Sequence, residues 1–205
     1  MHDPVATLGL ALGSAFTAGI NLYATVAALG IAGALGAIQL PPDLQLLQHP
    51  AVITVALLLY VVEFFADKTP YLDSVWDAVH TFIRVPAGAI LAARAFGGDV
   101  SPPVELAAIL AGGGMAFAAH AAKATTRLTL NASPEPFSNW TASFAEDFTA
   151  LFVLWLIFAH PLAVLGALAV FIAVVVWTAP KIWRGLRRLF RRGAVATADR
   201  AAVRG

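Results

Sequence analysis

The sequence predicts an all-α fold: a polytopic membrane helix bundle of about six transmembrane helices, the first of them broken or tilted. Three observations predict it. Of 205 residues, 60% are hydrophobic; mean hydropathy is +0.79; and only short polar breaks separate the apolar tracts. An ordinary soluble domain holds about 45–50% apolar residues, so this chain is expected in lipid. The N-terminus MHDPVATLGLAL has no Lys or Arg before its apolar run, which predicts a retained first helix rather than a cleaved signal peptide. The absence of cysteine excludes disulfides, thiolate metal sites and a Cys nucleophile.

Apolar runs and breakers predict helices near 5–39, 50–67, 72–97, 103–127, 139–160 and 162–180. PPDLQLLQHP, KTPYL, GGDVSPP, NASPEPF and the His160-Pro161 corner divide them. These helices form one membrane domain, 1–180, followed by a basic tail, 181–205. Eight of the thirteen Lys and Arg lie between Lys181 and Arg204. Because such residues are retained on the cytoplasmic side, the C-terminus is expected on the cytoplasmic face of the membrane. The loops at 68–71 and 128–138 then also fall inside, and the outer loops hold no Lys or Arg. Arg94, near the outer end of the third helix, is an exception. In the tail, Ile182, Trp183, Leu186, Leu189 and Phe190 form an apolar stripe opposite arginines. That pattern points to anionic lipid rather than nucleic acid as the partner of the tail, with residues 193–205 disordered.

The first tract is too long for a single straight span. Thirty-five helical residues would reach roughly 50 Å, against a hydrocarbon core of about 30 Å. A break is expected at TAGINLY, where Gly19 weakens the helix and Asn21 brings an amide into hydrocarbon. A broken helix would aim backbone groups at a solute, with Asn21 and Tyr23 contributing. The alternative is an interhelical hydrogen bond from Asn21 beside a Gly packing contact.

Ionisable residues concentrate in EFFADKTPYLDSVWDAVHTFIR, residues 63–84. Asp73, Asp77, His80, Thr81 and Arg84 share one helical stripe, and Glu63 and Asp67 end the preceding helix at i and i+4. In the second cluster, His120, Lys123 and Arg127 share a face, while Asn139, Ser143, Glu146 and Asp147 line the start of the next helix. Each cluster joins a helix end, a Pro-containing turn and a Ser-x-Trp start, at Ser74 to Trp76 and Ser138 to Trp140, which hints at a duplicated hairpin. Arg84 falls near mid-membrane and needs an acidic partner among Asp77, Glu63, Glu146 and Asp147. Pro86, two residues on, is expected to kink the helix. Between 63 and 147, leaving out the outer loop with Glu105 beside it and Arg94, seven acids stand against four Lys or Arg. That surplus, with two histidines, suits a proton or hard cation better than an anion. Taken singly, Asp67, Lys68 and Glu135 read as structural charges, either neutralised in interhelical pairs or solvated near the water.

Asp73, Asp77 and His80 have the spacing to surround Mg2+ or Mn2+. With no HExxH and no soft ligands, metal and cofactor stay open. Neither G-x-S-x-G nor a P-loop is present, and Gly112-Gly113-Gly114 inside a helix is read as close packing or local unwinding. The residues point to a transporter-like or solute/ion-binding protein with a polar cavity open toward the cytoplasm. Two alternatives stand beside it. One is an enzyme acting on a lipid headgroup through Asp73, Asp77 and His80, with Lys123 and Arg127 holding phosphate; the other is a structural or assembly protein. The sequence leaves oligomerisation open.

Four segments, TAGINLYATVAALG, EFFADKTPYLDSVWDAVHTFIR, HAAKATTR and SPEPFSNW, occur in an order that resembles a bacterial integral membrane family, domain of unknown function 4126. The resemblance covers most of residues 10–180. It implies the membrane class and supplies no activity and no site residues.

Overall fold

The computed structural model describes residues 3–69, 71–98, 100–131 and 136–202, and every regular element among them is helical. In chain order these are α1 (Pro4–Ile20), α2 (Leu22–Ala34), a 3-10 helix (Pro42–Gln48), α3 (Pro50–Ala66), α4 (Leu72–Arg94), α5 (Pro102–Asn131), α6 (Pro136–Ala159) and α7 (Pro161–Ala202). Five of the seven α-helices begin on a proline; its fixed φ and missing N–H suit a first helical turn. Side-chain caps add to this. Asp3 accepts from the Val5 N–H at 3.0 Å, and His49 Nδ1 accepts from the Ala51 N–H at 3.2 Å.

The long first tract breaks at Asn21, within the TAGINLY stretch. Asn21 is extended, at φ −146 and ψ 97, and its N–H closes α1 on the Thr17 carbonyl. Its Oδ1 accepts from the Ala24 N–H at 2.9 Å and so caps α2. One residue ends one helix and starts the next.

Gly19, Gly88 and Gly112 set how closely the helices approach. A Cβ at Gly88 would meet Ala116, one at Gly112 would meet Ala92 and the Gly88 carbonyl, and one at Gly19 would meet the Ala116 backbone and Ala119. Ala15, Ala18, Ala92 and Ala116 are fully buried among these contacts. The glycine triplet is therefore continuous α-helix, with Gly112 packed and Gly114 facing open space. Close backbone approach holds the polar stripes of α4 and α5 against each other.

Among the described residues, three helices are long and apolar enough to cross a membrane: Pro102–Asn131, Phe137–Ala159 and Pro161–Lys181. A fourth span results if the 3-10 helix and α3, which meet at 65°, count as one. The rest of the six expected spans fall short for local reasons. At 17 and 13 residues, α1 and α2 reach only about 26 and 20 Å. Charged residues on its buried stripe lower the hydropathy of α4, which runs on through Pro86.

The chain divides into a bundle ending at Leu168 and a helical unit from Ala169 onward. One expectation is corrected here. Residues 193–202 are helical rather than disordered, consistent with a segment rich in the strong helix former Ala. The side chains of Ile182, Trp183, Leu186, Leu189 and Phe190, together with Glu135 and residues 203–205, lie outside the described residues.

Candidate functional site

Helical periodicity places the site. On α4, Asp73, Asp77, His80 and Arg84 are buried, while Val75, Val79, Phe82 and Ile83 on the other side are exposed. On α5 the buried set is His120, Lys123, Arg127 and Asn131. Glu63 and Asp67 arrive from the end of α3, and Asn139, Ser143 and Asp147 from α6. The turn from α3 to α4 is tight, and Tyr71 holds a positive φ of 67 before α4 begins. A non-glycine residue rarely adopts that conformation.

The stripes meet as a connected ion network. Arg84 pairs with Glu63, bonds Asp77 at 2.8 Å and donates to His120 Nδ1 at 2.9 Å. A guanidinium can only donate, so His120 Nδ1 is the acceptor and the ring proton sits on Nε2, which reaches Thr81 Oγ1 at 2.7 Å. Thr81 passes its own proton to the Asp77 carbonyl at 3.0 Å. His120 is thereby held as a neutral tautomer.

Lys123 stands at the centre, 2.6 Å from Asp67, 3.5 Å from Glu146, 3.6 Å from Asp77 and 3.8 Å from Glu63. It also donates to the Ile20 carbonyl at 3.2 Å. That carbonyl ends α1, where the helix dipole favours a cation. Arg127 grips Glu146 bidentately, at 2.5 and 3.1 Å, and bonds the Asp67 and Asn139 carbonyls at 2.8 and 3.1 Å. Asp73 accepts from Asn131 at 2.7 Å and from Asn139 at 3.5 Å.

Every expected site residue from Asn21 to Asp147 lies in this network or at its edge. Asn21 donates to Asp147 at 2.9 Å, which favours the interhelical hydrogen bond over a group left free for a solute. Half-buried Tyr23 reaches His80 Nε2 at 3.1 Å, while His80 Nδ1 donates to the Trp76 carbonyl at 2.8 Å. Arg84 takes two of its four expected partners, Glu63 and Asp77.

The structure selects among the open readings. Asp67 is buried and ion-paired, the interhelical pair of the two alternatives, because the tight turn folds the end of α3 under Lys123 and Arg127. Lys68 is half-buried, bonded to Ser143 at 3.0 Å and lying 3.1 Å from the Phe64 ring centre. The metal candidates Asp73, Asp77 and His80 turn to three different sets of partners, and no group of three or more His, Asp or Glu side chains gathers in ligating geometry among the described residues. Asn131 and Ser74 were not expected in the site, whereas Thr81, already on the α4 stripe, joins it through His120. Asn131 continues the α5 stripe one turn beyond Arg127, so its spacing could have revealed it.

Three cavities, of about 270, 500 and 460 Å³, are lined by other residues, except that the third touches Tyr23. Within the network, Glu63 Oε2, Asp67 Oδ1, Asp77 Oδ2 and Asp147 Oδ2 are buried without a hydrogen-bond partner among the described residues.

No curated protein and no solved structure matches this chain. The family described as Domain of unknown function (DUF4126) matches residues 8–181, in agreement with the four ordered segments, and the chain belongs to that family.

Proposed function

We propose that the protein is a multi-pass bacterial inner-membrane protein that binds and moves a proton or small cation through its buried carboxylates. In this reading it has six spans, with α1 and α2 as the halves of a broken first helix. Its C-terminus is cytoplasmic, and the basic tail rests on anionic lipid. One observation carries the reading. Glu63, Asp67, Asp73, Asp77, Glu146 and Asp147 converge on Lys68, Arg84, Lys123 and Arg127, leaving two more carboxylates than cations. Burying an uncompensated charge costs several kcal/mol, so a proton or cation is needed to complete the network.

The headgroup-enzyme reading is less favoured. Lys123 and Arg127, which would have to hold phosphate, are already occupied by Asp67 and Glu146. A structural role draws support from the mutual pairing of the buried charges, which link α3, α4, α5 and α6.

Proteoliposomes carrying an internal pH dye separate the two readings. An imposed gradient is expected to relax faster with the wild-type protein than in empty vesicles, and this gain is expected to be lost in Asp77→Asn protein that remains monodisperse. Relaxation equal to that of empty vesicles, together with a stable Asp77→Asn, Glu146→Gln double variant, would instead establish the structural role.

A further inference from the structure

Asp147 differs from the other five carboxylates of the network. Glu63, Asp67, Asp73, Asp77 and Glu146 each lie in an ion pair, whereas Asp147 forms none among the described residues. Asn21 holds its Oδ1 at 2.9 Å. Its Oδ2 is buried without a partner, and the residue is 8% exposed. Tyr60 on α3 faces it, as do Asp67, Lys68 and Lys123 at greater remove. Both ammonium groups are engaged elsewhere, Lys68 with Ser143 and the Phe64 ring and Lys123 with Asp67.

A seam connects this carboxylate to the other end of the bundle. Helices α1 and α6 run antiparallel: Asn21 meets Asp147, Gly13 lies against Ile157 and Gly9 against Pro161. Gly13, Thr17 and Asn21 are spaced at i, i+4 and i+8, so they share the face toward α6. Thr17 and Ser14 are fully buried. Their hydroxyls donate to their own helix, at 3.1 Å to the Ser14 carbonyl and 3.3 Å to the Ala11 carbonyl, which leaves oxygen lone pairs as acceptors. At the far end the seam meets the cavity of about 270 Å³ lined by Asp3, Thr7, Leu10, Ile157 and Phe158.

We propose that Asp147 is the carboxylate that takes up and releases a proton, exchanging with water in that cavity along the α1–α6 seam past Thr17. The proposal rests on the proton-or-cation reading above and names its ligand and entry route. The proton is taken from water and bonds to Oδ2; Asn21 keeps its bond to Oδ1. A hard metal cation would need about six oxygen ligands, and Asp147 offers one unpartnered oxygen, which is enough for a proton.

Infrared difference spectroscopy of the full chain in lipid tests this through the carbonyl stretch of a protonated carboxylic acid. The wild type is expected to show such a band growing in as pH falls. Asp147→Asn should abolish it, Asp147→Glu should restore it, and Thr17→Val should slow its appearance after a pH jump. A titrating band undiminished in Asp147→Asn, or absent from the wild type, overturns the site, and an unchanged rate in Thr17→Val overturns the route. A wild type that titrates at Asp147 but relaxes no gradient supports the site and overturns only the transport reading.

Discussion

Arg84 and Arg94 lie on the same helix and could hardly be held more differently. The Arg84 side chain is 0% exposed and is enclosed by Glu63, Asp77 and His120. Arg94 is 53% exposed and touches Asp43 of the 3-10 helix at 3.4 Å, a surface pair that gives this outer-end arginine a partner. The difference shows that surroundings, not residue type, set what an ion pair contributes. A buried charge that loses its partner cannot turn to water, while an exposed pair contributes about 0–1 kcal/mol.

Substituting Arg84 is the strongest way to break this comparison. Arg84→Gln leaves Glu63 and Asp77 with only the more distant Lys123, at 3.8 and 3.6 Å, as a cation, and is expected to cost about 3–5 kcal/mol. Chemical denaturation in detergent would read the loss; an unchanged midpoint would mean that water reaches the network. Between the two arginines lies the close approach of α4 and α5. Gly112→Leu should cost about 1–3 kcal/mol through overpacking and loosen the Arg84–His120 contact, which hydrogen exchange on α5 would detect. At the helix break, Asn21→Ala removes the cap of α2, worth about 1 kcal/mol, and frees the Asp147 carboxylate; a lower unfolding temperature is the readout. The smallest effect is expected at the exposed arginine. Arg94→Gln should shift stability by at most about 1 kcal/mol, and less as salt is raised. A larger, salt-independent loss would show that the two arginines are not the contrast described.

Much of the site was legible from spacing alone. The stripes at Asp73, Asp77, His80 and Arg84 and at His120, Lys123 and Arg127 are buried faces of α4 and α5, because a helix of 3.6 residues per turn aligns such positions whatever it packs against. The break at Asn21 was legible for a similar reason, being dictated by length and by an Asn suited to capping. For Asp67 and Lys68 the choice between pairing and solvation was not legible, because a position at a helix end does not reveal whether the following turn folds inward. The metal triad failed on direction: one stripe can present its residues to different neighbours, and Asp73 turns to Asn131 while His80 turns to Tyr23.

By itself the sequence determined that the chain is helical, where most helices begin and which face of each carries charge, since proline, periodicity and hydropathy act over a few residues. Only the tertiary structure decided which acid meets which base. That choice is made between residues as far apart as Asn21 and Asp147, by the register and spacing that glycines and alanines impose where helices touch. A shift of one turn would rearrange the partners without altering a single stripe.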